Sequence, residues 1–560
     1  MVLNRPIFRA ALQKVQVHRA SSVIITSYRK FSSKDDSNQQ RYWRYGKVGA
    51  ICLGSVFVAG VIKENIESKN PVIPAKPIIN KPDKLGVKVE AGAKVVGLPT
   101  YTAEEVSKHD SIESFWVTYK HGVYDVTSFI PSHPGGEQIY NAAGLSIEPF
   151  WNVYGMHKTD DVLKLLESYR IGNLHSDDIV DHSDDELWVK EPLRDKRLIV
   201  RTAKPFNAEI PPQHQIEHFD TPNELFYVRQ HMPVPELDPA THKLTVTVVD
   251  DDGTVKTTTF TVDELLQKFP PVTVRAALMC AGNRRSEMNK VREAKGISWS
   301  TGAISSAAWG GVALRPVLQH CGVDLGQTDG KHVIFAGADV DATGAQFSTS
   351  VPLQQAADSA LLATTMNQRP LPPDHGRPLR AIVPGAPAVR SVKWLESITV
   401  SRAESSSHWH QKDYRGFNPS RTWETAQFSS APPVYSLPVT SAACRPQDGD
   451  LVTVEDGAVT VQGYAYSGGG ARILRVDVSG DGGASWHEAE LQADAAPSGR
   501  HYAWTLWTAR VPAPAADQME LWVKATDSNF NTQPENFDHI WNIRGILANA
   551  YHKIKINLKH

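Results

Sequence analysis

A single cysteine in the middle of the chain has the surroundings of a metal ligand. Cys280 follows a strand-like segment, residues 273–278, and precedes Gly282, Arg284 and Arg285. A thiolate is a good ligand for a soft or highly charged metal ion, and neighbouring cations favour the ionised sulfur. The alternative is a buried structural thiol, the common role of a free cysteine. That role gives no reason for two adjacent arginines.

Two histidines form a second candidate metal site. His133 opens a His-Pro-Gly-Gly run in which Pro134 fixes the backbone and the glycines permit close packing around a flat ligand. His157 lies 24 residues further on, after a helical stretch that can turn the chain back. Two neutral imidazoles on opposite faces of an iron leave no open position, which favours electron transfer over oxygen chemistry.

The order of residues around these histidines resembles a cytochrome b5-like domain. The residues that carry the resemblance are Trp116, Tyr124 to Thr127, Phe129, His133 to Gly136, and His157. The resemblance implies a haem b bound by His133 and His157. His175 and His182 are alternatives to the second ligand, but both lie in an acidic segment poorly placed to cover a haem.

Short elements are predicted to carry the two histidines. Thr102 and Glu105 predict a helix N-terminus with a capping box. Residues 115–119 and 123–127 predict two strands around a turn. Residues 164–172 have the pattern of an amphipathic helix that ends at a glycine and closes the domain.

Charge is uneven along the chain, although the formal net charge is only -2. Residues 100–186 hold 16 acidic and five basic residues, many of them in 175–186. One interpretation is a solvated hinge. The other is an acidic face that steers a basic electron-transfer partner, for which cytochrome c is the candidate. The balanced total gives no argument for a nucleic-acid partner.

Beyond residue 194 the sequence resembles the sulfite oxidase family over nearly its whole remaining length. The blocks that carry this resemblance are residues 221–235, 279–288, 296–304, 374–380, 389–395 and 407–414. In that family the matching cysteine binds molybdenum, so Cys280 is expected to do so here. Cys321 and Cys444 lack the pair of adjacent arginines found beside Cys280 and are interpreted as structural.

The same resemblance implies two sets of pocket residues. A pterin cofactor carries a phosphate and needs fixed cations and donors. The expected pterin-binding residues are Tyr227, Val228, Arg229, Gln230, His231, Asp339, His375, Arg380, Ser391, Val392 and Lys393. Sulfite is a small oxyanion, which suits the forked, permanently charged guanidinium. The expected catalytic residues are Cys280, Arg229, Arg285, Trp299, Tyr414 and Arg544.

Some features leave alternatives open. Each arginine could instead be a structural ion-pair partner. Only the family resemblance assigns Arg544 to the pocket. Gln230 stands where the family pattern has asparagine, and Ala308 stands where animal members often have arginine. These departures put pocket details and cofactor affinity in question.

The beginning of the chain resembles a targeting signal for the mitochondrial intermembrane space. Residues 1–34 contain basic residues and no acidic one, as in a mitochondrial presequence. The apolar run 48–62 is short for a membrane span, which needs about 20 residues. We expect a sorting segment removed by cleavage, with no stable membrane insertion afterwards. The alternative is a permanent single-span anchor.

The sequence therefore predicts a multidomain α+β protein with a cytochrome b5-like domain, a mixed α/β molybdopterin domain and a C-terminal immunoglobulin-like β-sandwich. Short alternating segments between glycine-rich turns after Pro432-Pro433 predict the sandwich, which in the family makes a homodimer. The expected divisions are 1–65 (presequence and sorting segment), 66–97 (linker), 98–174 (haem domain), 175–193 (acidic hinge), 194–428 (catalytic domain) and 429–560 (dimerisation domain).

The expected reaction is the oxidation of sulfite to sulfate at a molybdenum–molybdopterin centre, with electrons passed through haem b to cytochrome c. One rival is a haem-containing, nitrate reductase-like molybdoenzyme, but in that family the haem domain follows the molybdenum domain and a flavin domain comes last. The other rival is a non-catalytic haem electron shuttle, against which Cys280 and its arginines argue.

Overall fold

The computed structural model describes residues 90–180 and 188–560. The expected presequence, the apolar run 48–62, most of the linker and His182 lie outside these residues. Within the described ranges, no helix is long and apolar enough to cross a membrane.

The domain expected to bind haem contains a five-stranded sheet, ordered β1-β5-β4-β3-β2, with short helices beside it. Its strands are β1 (Thr100–Tyr101), β2 (Asp110–Ser111), β3 (Ser114–Tyr119), β4 (Gly122–Asp125) and β5 (Arg170–Leu174). Its α-helices are α1 (Ala103–Ser107), α2 (Glu148–Val153) and α3 (Asp160–Glu167). The capping box between Thr102 and Glu105 is present at the start of α1, as predicted.

One prediction in this domain is wrong. The segment 164–172 is not a single helix, because α3 ends at Glu167 and β5 begins at Arg170. Strand β5 pairs with β1 in parallel and with β4 in antiparallel orientation. Residues 170–174 therefore belong to the sheet, and tertiary pairing overrides a local helical pattern.

The central domain is built from three sheets with few and short helices. Its strands are β6 (Ile199–Thr202), β7 (Asn207–Glu209), β8 (Val228–Arg229), β9 (Lys243–Val249), β10 (Val255–Thr261), β11 (Pro271–Met279), β12 (Ile304–Ala313), β13 (His332–Val340), β14 (Gln346–Pro352), β15 (Leu361–Met366), β16 (Arg369–Pro370), β17 (Arg380–Ile382) and β18 (Leu395–Ser401). Its α-helices are α4 (Pro212–Gln215), α5 (Val262–Lys268), α6 (Arg285–Met288), α7 (Leu314–His320) and α8 (Leu353–Ser359).

These strands form three sheets, and the candidate residues lie near the ends of the strands. One sheet has the order β10-β9-β18-β13-β14, and a second has the order β11-β12-β15-β16 with β17 beside β15. Strands β6, β7 and β8 form the third. Strand β11 ends one residue before Cys280, so the cysteine lies on a turn after a strand, as predicted.

The C-terminal domain is a β-sandwich, which confirms the predicted fold class. One sheet has the order β19-β21-β25-β24 and the other has the order β20-β27-β26-β22-β23. The strands are β19 (Thr440–Arg445), β20 (Leu451–Thr453), β21 (Ala458–Tyr466), β22 (Ile473–Ser479), β23 (His487–Glu488), β24 (Glu490–Gln492), β25 (Thr505–Pro512), β26 (Gln518–Asp527) and β27 (His552–Lys559).

Apolar contacts join the three domains. Val153, at the end of α2, is 2% exposed and belongs to the core of the central domain, and Phe150 and Tyr154 pack beside it. Trp188 donates a hydrogen bond from its indole nitrogen to the backbone oxygen of Asn152 (2.8 Å). Another cluster combines Met279 from β11 with residues of β19, β21 and β25.

Candidate cofactor sites

The structure brings His133 and His157 face to face. Their rings are nearly parallel, with an interplanar angle of 12° and ring centres 6.1 Å apart. A metal held by one nitrogen of each ring, at about 2 Å on either side, requires a separation of about this size. His133 and His157 would therefore hold a haem iron between them, and that iron would supply one-electron transfer.

Backbone carbonyls orient both imidazoles for this role. Nδ1 of His133 lies 3.1 Å from the carbonyl oxygen of Gly136, and Nδ1 of His157 lies 2.9 Å from that of Tyr154. A proton on each Nδ1 leaves Nε2 free as the ligand atom. Burial lowers the pKa of both rings, which favours the neutral form that binds metal.

The predicted glycines have a direct structural purpose. A Cβ atom at Gly135 would lie 2.7 Å from Cε1 of His133, so any other residue there would displace the ligand ring. Gly136 has a φ of +60°, a backbone conformation that other residues rarely adopt. By contrast, His175 binds locally, with its ring nitrogen accepting from the backbone of Asp177.

Cys280 lies in a buried turn of the central domain. It is 7% exposed, and its backbone nitrogen donates to the carbonyl oxygen of Ala303 (2.9 Å). Its side chain lines a cavity together with Tyr227, Arg229 and Lys393. Of the sequence-predicted residues, the cavity lining includes Tyr227, Arg229, Gln230, His231, Cys280, Asp339, His375, Arg380, Ser391, Val392, Lys393 and Tyr414.

Four predicted residues lie behind this lining. Val228 is buried in β8. Trp299 is 1% exposed and packs in one apolar cluster with Cys280 and Tyr227. Arg285 and Arg544 lie beside the cavity and act on it through their charges, as the following contacts show.

The Arg285 guanidinium is enclosed by backbone. It donates to the carbonyl oxygens of Gly545 (2.9 Å), Ile297 (2.6 Å) and Arg544 (3.2 Å). Cβ atoms built at Gly282, Gly296 and Gly545 would lie 2.5 to 2.8 Å from its atoms. Burial and the charge of Arg544 lower the pKa of Arg285 to about 10, while Cys280 acts in the opposite direction. The group remains a cation held close to the thiol.

Two further arginines complete the cationic surroundings. Arg229 donates to the side-chain oxygen of Asn207 (3.1 Å) and to the backbone of Gln230. Arg544 makes an ion pair with Asp413 (2.6 Å). Burial opposes ionisation of Asp413, but Arg544 and His408 lower its pKa to about 2. Arg544 therefore reaches the site, although it is 264 residues from Cys280 in the chain.

Tyr414 lines the cavity directly after Asp413. Its hydroxyl lies 3.5 Å from Nε2 of His231. Burial raises the pKa of Tyr414 to about 12, against the opposing charge of Arg229. Burial and Arg229 also lower the pKa of His231 well below its usual value. The pair is thus a protonated phenol beside a neutral imidazole, which can pass a proton without either group carrying a lasting charge.

The remaining cavity residues suit an anionic cofactor with many polar atoms. Arg380 donates to the carbonyl oxygens of Ser391 (3.2 Å) and His375 (3.1 Å). Lys393 donates to the carbonyl oxygens of Arg229 (3.0 Å) and Asp374 (3.1 Å) and contacts the side chain of Gln230. Burial, with Arg380, lowers the pKa of Lys393 well below its usual value. An anion in the cavity would offset this clustering of positive charge.

Asp339 is the clearest sign of an additional group. Its Oδ1 is buried and has no hydrogen-bond partner among the described residues, and its side chain lines the cavity. Burial raises the pKa of Asp339 to about 7. Unsatisfied buried polar atoms are costly, so this oxygen fits a donor on a bound ligand, such as an amino group of a pterin.

The sequence offers Arg284 and Arg285 together as cations beside Cys280, and the family resemblance assigns only Arg285 to the pocket; the structure gives Arg284 a different role. Arg284 is fully buried and makes an ion pair with Glu287 (2.7 Å). It also donates to the carbonyl oxygens of Ala550 (2.7 Å) and Ser441 (3.2 Å), so it joins two domains. Asp374 was quoted only within a motif, yet it lines the cavity and accepts from Gln230. No spacing signal indicated either role.

Comparisons with known proteins match all three regions. Residues 102–175 match the cytochrome b5-like haem/steroid binding domain, residues 231–409 match the oxidoreductase molybdopterin binding domain, and residues 431–559 match the Mo-co oxidoreductase dimerisation domain. Fold and site therefore define a molybdenum oxidoreductase with a haem domain and a dimerisation domain.

Similarity to individual relatives identifies the family within this class of protein. The chain is 50% identical to the mitochondrial sulfite oxidase of Drosophila melanogaster over 474 residues, which are 82% of this chain and 81% of the relative. It is 46% identical to the sulfite oxidase of Gallus gallus over 461 residues, 81% of this chain and 99% of the relative. The chain belongs to the sulfite oxidase family.

A solved structure supports the fold. The sulfane dehydrogenase SoxCD from Paracoccus pantotrophus superposes with a TM-score of 0.52 at 23% identity, covering 68% of this chain and 93% of that one.

Proposed function

We propose that this protein oxidises sulfite to sulfate at a molybdenum–molybdopterin centre held by Cys280. The observation that carries the proposal is the buried thiol beside three guanidinium groups, those of Arg229, Arg285 and Arg544, whose charges act on one another. Such a pocket concentrates positive charge where a small dianion would bind. When bound, the molybdenum centre supplies oxygen-atom transfer and accepts two electrons.

The residues of the chain bind and orient the substrate. Arg229 lines the cavity directly, and Arg285 and Arg544 lie beside it, so the three share the charge of the sulfite oxygens. Arg285 is fixed by three carbonyl acceptors and by surrounding glycines, so its charge is oriented before substrate arrives. Such preorganised charge is worth more in a buried site than in water.

Proton movement is assigned to Tyr414 and His231. Sulfite and water yield sulfate, two protons and two electrons, so the site must release protons as well as electrons. The Tyr414 hydroxyl and Nε2 of the His231 ring lie 3.5 Å apart, and both residues line the cavity. His231 can accept a proton through the phenol and pass it toward solvent.

The haem domain is proposed to receive the electrons one at a time and to pass them to cytochrome c. Tyr154 supports a short route, because its backbone oxygen holds His157 while its ring packs beside the core of the central domain. Burial and the carboxylates of Asp341 and Asp413 raise the pKa of Tyr154, and Asp413 adjoins the cavity residue Tyr414. The acidic haem domain offers a complementary surface to a basic acceptor.

We further propose that the protein works as a homodimer in the mitochondrial intermembrane space. The dimerisation domain at residues 431–559 supports the homodimer. The Drosophila relative is named as mitochondrial, and the acid-free, basic segment 1–34 supports the same compartment. This proposal includes the division of the chain into presequence, linker, haem domain, hinge, catalytic domain and dimerisation domain.

The test is sulfite-dependent reduction of cytochrome c by the purified protein, with Cys280→Ser as the comparison. The wild type should reduce cytochrome c with sulfite, and the variant should lose at least three orders of magnitude in kcat while its haem absorption is unchanged. Full turnover by a cofactor-replete Cys280→Ser protein would refute the proposal. Cys321→Ser is the matched control, because that thiol lies in the apolar core away from the cavity.

Metal content and substrate choice address the two rivals. Haem without molybdenum in purified protein would favour the electron shuttle. Turnover of nitrate but not sulfite would favour the nitrate reductase-like reading.

A further inference from the structure

The turn that carries Cys280, residues 280–285, is held from outside by the C-terminal β-sandwich and by the segment between its strands β26 and β27. The backbone nitrogen of Leu547 donates to the carbonyl oxygen of Ala281 (2.7 Å). Arg284 donates to the carbonyl oxygens of Ser441 (3.2 Å) and Ala550 (2.7 Å). The domain assigned to dimerisation thus contacts the turn of the proposed metal ligand directly.

One buried hydroxyl of the sandwich connects the Cys280 turn to residues 301–303, the segment that binds the backbone of Cys280. Tyr464, in β21, accepts a hydrogen bond from Nδ2 of Asn283 (3.0 Å) and donates one to the carbonyl oxygen of Thr301 (3.0 Å). The exposed fractions of Tyr464 and Asn283 are 0% and 3%. Water therefore cannot readily replace either bond.

These bonds form a closed chain around the cysteine. The backbone nitrogen of Cys280 donates to the oxygen of Ala303 (2.9 Å), and the nitrogen of Ala303 donates to Oδ1 of Asn283 (3.0 Å). Asn283 then binds Tyr464, and Tyr464 returns to Thr301, two residues before Ala303. Removal of the Tyr464 hydroxyl breaks this chain at Tyr464, which is its one member outside the catalytic domain.

We propose that Tyr464 is a positioning residue for the Cys280 thiol, so that the C-terminal domain completes the molybdenum site as well as serving dimerisation. The inference rests on the metal-ligand role proposed for Cys280. Its basis is the hydroxyl group rather than the ring, because the ring packs beside Trp504 (centres 5.9 Å apart) and would keep that contact without the oxygen.

The same strand offers a matched control. Tyr466 lies two residues further along β21, on the same face, and is equally buried. Its hydroxyl lies near the backbone of Gly385, and none of the hydrogen bonds of the described residues joins it to the Cys280 turn. A Tyr→Phe change at either position removes one buried oxygen from the same apolar cluster.

The experiment compares holoenzyme carrying Tyr464→Phe with holoenzyme carrying Tyr466→Phe. Hydrogen exchange measured by mass spectrometry should show faster exchange of the amides of Cys280 and Ala303 in the first variant only. Its kcat for sulfite should fall roughly tenfold, the size expected for two broken buried hydrogen bonds, with a smaller change in KM. Equal exchange and equal kcat in the two variants would overturn the inference.

A second variant guards against loss of folding. If Tyr464→Phe does not accumulate as folded protein, Asn283→Ala breaks the same chain from the side of the turn and should speed exchange of the Cys280 amide, whose own acceptor, the carbonyl oxygen of Ala303, stays in place. Unchanged exchange there would also overturn the inference. Amide exchange reports on the turn whatever the reaction is, so its outcome is independent of whether Cys280→Ser abolishes turnover.

Discussion

The two cofactor sites of this protein solve opposite problems. The proposed haem ligands, His133 and His157, are half-buried and lie at short helical turns, and burial lowers the pKa of both rings. The molybdenum cavity is formed at strand ends and turns deep in the central domain, and several charged groups around it are almost fully buried. The first site is therefore partly open to the surface, whereas the second is a buried site that contains polar and charged groups.

The difference follows from what each site transfers. An electron can cross several ångströms, so its cofactor can stay near the surface where a partner approaches. An oxygen atom moves only between groups in contact, and its charge must be stabilised without competing water. Burial of Arg285, Lys393 and Asp339 is costly for folding, which is consistent with a site selected for chemistry rather than stability.

The largest expected effect separates the two sites completely. His133→Ala should remove haem and reduce cytochrome c turnover by at least three orders of magnitude, because one axial ligand is lost. Sulfite oxidation with a small-molecule oxidant that reaches the cavity should continue. Both activities measured on the same preparation test this, and loss of both would mean that the two sites are not separable.

A second change should affect the buried site alone. Arg285→Lys keeps the charge but cannot make three fixed hydrogen bonds to Gly545, Ile297 and Arg544. We expect kcat/KM for sulfite to fall about a hundredfold, equivalent to about 3 kcal/mol, with an unchanged haem spectrum. Arg315→Lys, an exposed ion pair with Asp358, is the control. A loss below threefold in Arg285→Lys would contradict the assigned role.

Acid should destabilise the protein through the buried site. Burial, with the charge of Arg380, lowers the pKa of His375 to about 3. An unfolded histidine titrates near pH 6.5, so between these values the unfolded chain binds more protons and stability falls as pH falls. His375→Gln should reduce the loss of unfolding free energy between pH 8 and pH 5 by about 2 kcal/mol. Denaturant unfolding at both pH values measures this, with exposed His218→Gln as the control.

The smallest effect concerns the contact between the sites. Lys295 acts electrostatically on His133 and its ammonium lies 4.4 Å from the ring centre of Trp423. Loss of this positive charge should favour the oxidised haem, so Lys295→Gln should lower the haem midpoint potential by a few tens of mV at low salt. Redox titration tests the shift, and Lys290→Gln makes the same charge change in the same segment. Equal shifts in both variants would argue against a specific contact.

Sequence alone predicted the parts of the molecule that local patterns determine. The capping box at Thr102, the strand before Cys280 and the alternating strands of the sandwich follow from turn residues and period. The helix predicted over 164–172 failed because pairing of β5 with β1 and β4 joins distant parts of the chain. A short stretch of sequence does not indicate which distant strands it will pair with.

The candidate site divides in the same way. His133 and Cys280 stand in short motifs with their neighbours, so the sequence could single them out. Arg544 was identified through the family resemblance alone, and its ion pair with Asp413 is visible only in the structure. The family resemblance assigned Arg285 to the pocket, but the structural role of Arg284 could not be predicted, because adjacent side chains on a turn point to different surroundings.

The three glycines around Arg285 lie at positions 282, 296 and 545, yet they enclose one guanidinium. Inherited variants at any of these codons should therefore produce the same biochemical defect, although the codons are far apart in the coding sequence. Two such variants in one allele should be little worse than one, because the same group is displaced only once. Epistasis between these distant codons would then reflect their shared contact with the Arg285 guanidinium.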